Sequence, residues 1–152
     1  MPRGLAGLGY SVPAAIGVAI ANPGRRTVVL TGDGALGYSI GEFASILELN
    51  LPITVIVLNN ADLGWIRWYG HLNFGTSDQG SDFADINFSA VAQGFGFDAE
   101  RVTNPADLAG AMRRVLSSKK PSLLDVVTET WTTPVTGHKV ALANKKSTGY
   151  GG

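Results

Sequence analysis

The chain of 152 residues has no cysteine, two histidines and no excess of charge of either sign. The absence of cysteine excludes a disulfide framework and thiolate chemistry. The formal net charge is zero and the pI is about 6.7, so neither a nucleic-acid-binding surface nor an anionic-membrane surface is indicated. No apolar run approaches the roughly 20 residues that cross a bilayer, and the N-terminus lacks the charged-then-apolar order of a signal peptide. We therefore expect a soluble cytoplasmic protein.

The chain is long enough for one domain with a single core and short for two. We predict that residues 1–130 form this domain. From about residue 131 the sequence becomes polar and lysine-bearing and ends in glycines. Residues 131–152 are therefore predicted to be a tail, either mobile or packed on a partner.

Apolar strand-like runs alternate with segments of helical character, which predicts an α/β fold with a doubly wound, mostly parallel sheet and helices on both faces. The predicted strands are residues 27–31, 53–58, 98–102 and 122–129. The predicted helices are residues 12–22 with Ser11 as N-cap, 39–49, 64–69, 88–94 with Asn87 as N-cap, and 105–116 with Asn104 as N-cap. Residues 71–82 are predicted to be a loop.

Polar residues follow the first two predicted strands. Asp33 comes directly after the first strand, and Asn59 and Asn60 end the second. Two strands joined by a helix-length crossover are parallel, so their carboxyl ends lie at one edge of the sheet, where α/β sheets bind ligands. A carboxylate, a carboxamide and a backbone carbonyl suit Mg²⁺, which fills its coordination with phosphate oxygens and water. The amides of Gly34 and Ala35, at a helix start, favour phosphate. The pattern predicts a metal-bridged diphosphate site.

Two other interpretations use the same residues. The spacing of Gly32, Gly34 and Gly37 matches the dinucleotide-binding fingerprint. However, Asp33 would repel a pyrophosphate unless a cation lay between them, and the second strand ends in asparagine where a dinucleotide site needs an acid. A Gly-Asp-Gly sequence or an Asn-Asn pair alone is also typical of a turn. Their joint occurrence at two parallel strand ends favours a functional site.

The sequence Gly32-Asp33-Gly34, followed after 24 residues by Asn59-Asn60, resembles the thiamine-diphosphate motif. Residues 4–129 resemble the C-terminal diphosphate-binding domain of the superfamily of acetolactate synthase, pyruvate decarboxylase and benzaldehyde lyase. The resemblance implies the thiamine-diphosphate-binding fold and the cofactors thiamine diphosphate and Mg²⁺. It implies three metal ligands, which are the Asp33 carboxylate, the Asn60 side chain and the main-chain carbonyl of Asp62.

The resemblance also assigns roles to residues around the motif. Leu8 corresponds to the apolar residue that bends the cofactor into its V shape, unless it is a core leucine. Trp65 and Tyr69 correspond to positions that face the substrate, unless they are ordinary packing aromatics. We assign Leu8, Trp65 and Tyr69 to catalysis. The residues implied in cofactor binding are Ala6, whose carbonyl would accept from the 4′-amino group, Leu8, Gly32, Asp33, Gly34, Ala35, Asn60, Asp62, Leu63 and Gly64.

By the same resemblance the chain is part of an acetolactate synthase-like 2-oxo acid decarboxylase or carboligase. Acetolactate synthases favour tryptophan at the position of Tyr69, and residues 37–43 are more similar to benzaldehyde lyase. A lyase of 2-hydroxy ketones or 2-hydroxyacyl-CoA, and a non-catalytic regulatory or interaction domain, are therefore alternatives. The first strand and helix before Gly4 are expected to be missing. We expect the chain to be inactive without a pyrimidine-binding domain, on the same or another chain, and the enzyme to be a homo-dimer or tetramer.

Overall fold

A computed structural model describes residues 7–75 and 80–129, with only the backbone at residues 69 and 71–73. Ala6 and the predicted tail lie outside this range. The strands are β1 (Thr27–Gly32), β2 (Ile53–Asn59), β3 (Asp98–Val102) and β4 (Ser122–Val127). The helices are α1 (Ser11–Ala21), α2 (Asp33–Gly37), α3 (Glu42–Glu48), α4 (Gly64–Phe74), α5 (Phe88–Phe95) and α6 (Leu108–Ser117), with a 3₁₀ turn at Pro105–Asp107.

The four strands form one parallel sheet in the order β1-β2-β4-β3. The β2 strand lies in the middle, as its unbroken apolar sequence predicts for a strand covered by neighbours. Its last residue, Asn59, pairs with Val127 of β4, and Leu58 pairs with Gly32 of β1. The carboxyl ends of β1, β2 and β4 therefore meet at one edge, and the predicted α/β fold is confirmed.

Helices lie on both faces of the sheet. The larger core cluster joins α1, α3 and α5 to one face, with Phe43 and Ile46 of α3 fully buried. The smaller cluster joins α6 to the other face through Ala111, Val115 and Leu124. Within the described ranges no helix is both long and apolar enough to span a membrane.

The face covered by α6 is left open over β1 and β2. Val28, Leu30 and Leu58 point to this face and are exposed, Leu30 to 64%. Side chains of this type normally lie under a helix when they belong to a parallel sheet. The described residues thus leave one apolar part of the sheet uncovered.

Several predicted boundaries are wrong. Ser11 does not cap α1, because its hydroxyl donates to Thr31 Oγ1 at 3.2 Å and Tyr10 occupies the N-cap position. The helix predicted at residues 39–49 begins only at Glu42, since the chain first forms α2 directly after β1. The predicted loop at residues 71–82 is helical as far as Phe74, and residues 76–79 lie outside the described part. The last strand ends at Val127 rather than residue 129.

Candidate functional site

Asp33 and Asn60 lie side by side at the carboxyl edge of the sheet. Asp33 follows β1 and is only 5% exposed, and its Oδ2 accepts a hydrogen bond from the Asn60 amide at 3.1 Å. Its Oδ1 accepts from the amide of Gly34 at 2.7 Å. The two loop tips that the sequence predicted to converge therefore do so, and the carboxylate is fixed by two backbone donors.

The Asp33 carboxylate has no cationic partner in the part of the chain that the structure describes. A buried carboxylate is costly unless it is paired or bound to a metal. The carboxylate borders a largely apolar pocket of about 280 Å³ lined by Tyr38, Phe83, Ile86 and Phe88, so a ligand can reach it from outside the core. The buried carboxylate without a cationic partner among the described residues fits a cation that binds from solution.

Carboxylates and imidazoles alone do not make a metal centre here. Across residues 7–75 and 80–129 no three histidine, aspartate or glutamate side chains cluster closely enough to hold a metal. The predicted ligand set needs only the one carboxylate of Asp33, together with an amide oxygen and a main-chain carbonyl. Such a set matches Mg²⁺, which usually keeps several water or phosphate ligands.

The loop after β2 is held in one conformation. Ala61 has a φ of +54°, which is unfavourable for a residue with a Cβ atom. Its N–H donates to Asn59 Oδ1 at 3.3 Å, and its carbonyl accepts from Phe83 N at 2.9 Å. Leu63 N donates to the Ser81 carbonyl at 2.8 Å. These bonds fix the backbone between Asn60 and Leu63, which includes the predicted ligand carbonyl of Asp62.

The Asp62 side chain is engaged elsewhere. Its Oδ2 accepts from Arg67 Nε at 2.7 Å, and both side chains are buried. Arg67 also forms an ion pair with Asp82, the residue opposite Asp62 in an antiparallel bridge. Asp62 Oδ1 is buried and has no hydrogen-bond partner among the described residues. A ligand role for Asp62 through its main-chain carbonyl is compatible with this arrangement.

Glycine at position 34 permits close packing of Leu63 and Phe83 on α2. A Cβ atom there would lie 2.8 Å from Leu63 Cδ2 and 2.9 Å from Phe83 Cε2. Gly32 takes the extended N-cap position of α2, and Ala35 follows in its first turn. The Gly34 amide, predicted to bind phosphate, is occupied by Asp33 Oδ1 in this structure. Gly64 begins α4, and a Cβ atom there would lie 3.5 Å from the Asn60 side chain.

The turn that contains Leu8 lies against the end of α2. Gly9 has a φ of +85°, and a Cβ atom there would lie 2.9 Å from the Tyr38 Cβ. Leu8 itself is 53% exposed, so the alternative interpretation as a core leucine is wrong for this domain. The turn at Gly9 therefore lies beside α2, the helix that begins at Asp33, and Ala6 lies outside the described residues.

Trp65 is 62% exposed on the first turn of α4. Its ring meets the ring of Trp68 edge to face, with centroids 5.4 Å apart. Packing therefore accounts for one edge of Trp65 and leaves most of the ring open. Tyr69 lies in α4 one turn further on, and its side chain is outside the described part of the chain. The substrate-facing role of both residues stays a prediction.

Asp125 was not predicted as a site residue, although the structure places it next to Asn59, where the loop after β2 begins. It is fully buried on β4, and its Oδ1 accepts from Asn59 Nδ2 at 3.0 Å. Its Oδ2 accepts from the Phe88 amide at 3.0 Å and lies 3.6 Å from Arg101 Nη1. Burial raises the pKa of the Asp125 carboxyl, and the Asn59 hydrogen bond opposes the shift. The available signal was a single acid in the apolar sequence Ser122–Val127.

The chain is similar to known proteins of one family. Residues 1–126 match the family model of the thiamine pyrophosphate enzyme, C-terminal TPP binding domain. The chain is 32% identical over 124 residues to benzoylformate decarboxylase from Pseudomonas aeruginosa, and the match covers 82% of this chain and 24% of the relative. It is 38% identical over 133 residues to chloroplastic acetolactate synthase 2 from Zea mays, covering 82% and 21%.

Among solved structures, the thiamine diphosphate-dependent 4-hydroxybenzoylformate decarboxylase of Rhodococcus jostii RHA1 superposes with a TM-score of 0.74 at 31% identity. The match covers 80% of this chain and 23% of that one. The chain thus spans less than a quarter of the length of these relatives. Its relatives are thiamine diphosphate-dependent enzymes, and the chain itself belongs to the thiamine pyrophosphate enzyme family as a C-terminal TPP binding domain.

Proposed function

We propose that the chain holds the diphosphate of thiamine diphosphate through Mg²⁺. The protein ligands are the Asp33 carboxylate, the Asn60 side chain and the main-chain carbonyl of Asp62. One observation carries the proposal. The Asp33 carboxylate is buried, accepts a hydrogen bond from the Asn60 amide at 3.1 Å, and has no cationic partner among residues 7–75 and 80–129.

The chain's residues prepare this site before any ligand arrives. The amides of Gly34 and Asn60 orient the Asp33 carboxylate, and the Ala61 turn orients the two other ligands. The start of α2 at Gly32 to Ala35 and the start of α4 at Leu63 and Gly64 border the cofactor. Because these groups are already fixed, binding costs little reorganisation.

Thiamine diphosphate, when bound, supplies a nucleophilic carbon for attack on a 2-oxo acid and an electron sink for the loss of carbon dioxide. Leu8, which is exposed, would support the bound cofactor, and the Ala6 carbonyl would accept from its amino group. Trp65 and Tyr69, both on α4, would face the substrate. The chain's contribution is therefore to bind and orient, and proximity of this kind lowers a barrier substantially.

The enzyme that contains this domain is, in our proposal, a 2-oxo acid decarboxylase or carboligase. Its pyrimidine-binding domain is on the same polypeptide or on another chain, and the domain described here is inactive alone. Two observations support this view. The chain spans 20% to 24% of the curated relatives it matches. The apolar face around Val28, Leu30 and Leu58 is exposed, and a further strand and helix of the enzyme would cover it. A homo-dimer or tetramer and a cytoplasmic location stay predictions.

The test is the Mg²⁺ dependence of thiamine diphosphate binding by the complete enzyme, measured by isothermal titration calorimetry. Asp33→Ala is expected to abolish metal-dependent binding. Asp98→Ala is the matched control, because Asp98 lies at the opposite end of the sheet and bonds to Ser118. Circular dichroism checks that both variants are folded. Unchanged affinity in Asp33→Ala would remove this residue from the site.

A substrate panel separates the reaction classes. Pyruvate and benzoylformate test for a 2-oxo acid decarboxylase, as the names of the two relatives suggest. Benzoin and a 2-hydroxyacyl-CoA test for a lyase. If the complete enzyme bound no cofactor at any Mg²⁺ concentration, a regulatory or interaction domain would be the better description.

A further inference from the structure

We propose that Asp125 is a positioning residue for the metal loop, which we define as residues 60–62. Asp125 sets the orientation of the Asn59 carboxamide. Asn59 in turn holds the loop in the conformation that presents the proposed Mg²⁺ ligands. The inference rests on the proposed Mg²⁺ site. Neither Asp125 nor Asn59 is itself a proposed ligand.

The carboxamide of Asn59 is fully engaged and almost completely buried. Its Nδ2 donates to Asp125 Oδ1 at 3.0 Å and to the Ile86 carbonyl at 2.9 Å, so both amide hydrogens are used. Its Oδ1 accepts from the Ala61 amide at 3.3 Å. An ionised carboxylate can only accept hydrogen bonds. Asp125, together with the Ile86 carbonyl, therefore selects the orientation in which Asn59 turns its nitrogen towards these two acceptors and its oxygen towards Ala61.

The orientation of the Asn59 carboxamide affects the backbone of Ala61. A φ of +54° is unfavourable for alanine and persists only where neighbouring groups hold it. The acceptor that Asn59 offers to the Ala61 amide is one of these groups. A reversed carboxamide would set its own N–H groups against this amide and remove the acceptor. The direction of the chain between Asn60 and Asp62, which carry two of the three proposed ligands, would then no longer be fixed.

Asp125 is itself held from the side opposite Asn59. Its Oδ2 accepts from the Phe88 amide at 3.0 Å, where α5 begins. Arg101 Nη1 on β3 lies 3.6 Å away. The carboxylate thus links β3, β4 and α5 to the loop after β2. In a variant without this charge, Asn59 would contact a neutral group instead of a carboxylate, while the backbone amide at the start of α5 stays in place.

The variant Asp125→Asn has nearly the same size but replaces an acceptor with a donor. In the complete enzyme we expect its apparent Mg²⁺ affinity, measured by calorimetric titration of thiamine diphosphate at a series of Mg²⁺ concentrations, to fall by roughly 10- to 100-fold, the usual range for groups that orient metal ligands. Ser122→Ala is the matched control. Ser122 is fully buried on the same strand, but its hydroxyl bonds to the Val115 carbonyl and Thr54 far from the loop. It should lower stability and leave Mg²⁺ affinity unchanged.

A rescue experiment separates positioning from general stability. Glycine adopts a positive φ without strain, so Ala61→Gly in the Asp125→Asn background should restore part of the lost Mg²⁺ affinity. A purely structural Asp125 would change the free energy of unfolding without changing the Mg²⁺ affinity of the folded protein. If Asp125→Asn does not fold, Asn59→Ala replaces it in the test. This variant removes the oxygen that accepts from the Ala61 amide, so we expect the same loss and the same rescue.

The outcomes also distinguish this inference from the proposed function. If wild type and Asp33→Ala bind the cofactor alike, the Mg²⁺ site itself is wrong. If Asp33→Ala loses metal-dependent binding while Asp125→Asn and Asn59→Ala retain the affinity of the wild type, only the positioning role is overturned. Loss in these two variants without recovery by Ala61→Gly would overturn the route through the Ala61 turn.

Discussion

Arg67 Nε donates a hydrogen bond of 2.7 Å to Asp62 Oδ2, and both side chains are buried. Asp62 belongs to the loop that carries the proposed Mg²⁺ ligands, and Arg67 lies in the first turn of α4. The ion pair holds the Asp62 carboxylate inside the protein, so that in our proposal only the main chain of Asp62 would bind a metal. An acid that pointed towards a bound diphosphate would instead repel it. The ion pair is therefore as relevant to binding as to stability.

Arg67→Met is expected to lower the free energy of unfolding by about 3–5 kcal/mol, because it leaves the buried Asp62 carboxylate without a partner. Urea denaturation followed by circular dichroism measures the change. Adding Asp62→Asn removes the unpaired charge and should recover much of the loss, while the main-chain carbonyl is kept. Arg113→Met, on the exposed side of α6, serves as control and should have little effect. Equal stability of Arg67→Met and the control would show that the pair contributes nothing.

Gly34→Ala is expected to weaken metal-dependent cofactor binding. The added Cβ would meet Leu63 Cδ2 at 2.8 Å and Phe83 Cε2 at 2.9 Å, so both side chains must shift, and Phe83 lines the pocket that Asp33 borders. Gly37→Ala is a matched control in the same helix, where a Cβ has nothing within 4 Å. We expect at least a tenfold loss for Gly34→Ala, equivalent to about 1.4 kcal/mol, and no loss for Gly37→Ala. A loss confined to Gly37→Ala would contradict this assignment.

Trp65→Ala tests the substrate side of the site. Since most of the Trp65 ring is exposed, its removal should change stability little and leave the affinity for thiamine diphosphate and Mg²⁺ intact. We expect kcat/KM of the complete enzyme for its 2-oxo acid to fall about tenfold, or about 1.4 kcal/mol of transition-state stabilisation. Ile66→Ala, another exposed position of α4, is the control. If both variants kept wild-type kcat/KM, Trp65 would have no substrate role.

Tyr69→Trp tests which acceptor substrate the complete enzyme prefers. The tryptophan that acetolactate synthases favour at this position is expected to shift product distribution towards a second 2-oxo acid as acceptor, with cofactor affinity largely intact. Product analysis with mixed substrates and calorimetry on the same samples give the two quantities. Parallel loss of both would indicate a structural role.

The parts of the fold governed by local rules could be predicted from the sequence. The runs of β-branched residues predicted the boundaries of β1 and β2 to within one residue. Asn87 and Asn104 act as the predicted N-caps, accepting from the amides of Ala90 and Ala106. The convergence of Asp33 and Asn60 followed from a single rule, that parallel strands end at the same edge of a sheet.

Features that depend on which elements become neighbours could not be predicted in this way. Ser11 has the sequence signature of a cap, but Thr31 on another element provides its hydrogen-bond partner. The role of Asp125 depends on β4 lying beside β2, and the sequence does not specify this strand order. The tight packing around Gly34 comes from Leu63 and Phe83, which are distant in the chain. In each case the role of the residue depends on a tertiary contact with residues that are distant in the sequence.

The pH dependence of stability gives a last test of the Asp125 environment. Burial raises the pKa of this carboxyl, opposed by the Asn59 hydrogen bond and by Arg101, which also pairs with Asp85. Between its ordinary pKa of 3.8 and its higher folded value, the folded chain binds more protons than the unfolded chain. The contribution of Asp125 to the free energy of unfolding therefore falls as pH rises through this window and is constant above it.

We expect the stability difference between wild type and Asp125→Asn to be largest near the ordinary pKa and to shrink towards neutral pH, in urea denaturation across a pH series. Glu100→Gln should behave in the opposite way. A hydrogen bond from Arg114 lowers the pKa of Glu100, so its contribution is present above the ordinary value of 4.5 and is lost as pH falls through the folded value. Slopes of the same sign for both variants would mean that Asp125 is stabilised as a carboxylate by its partners more strongly than burial opposes it.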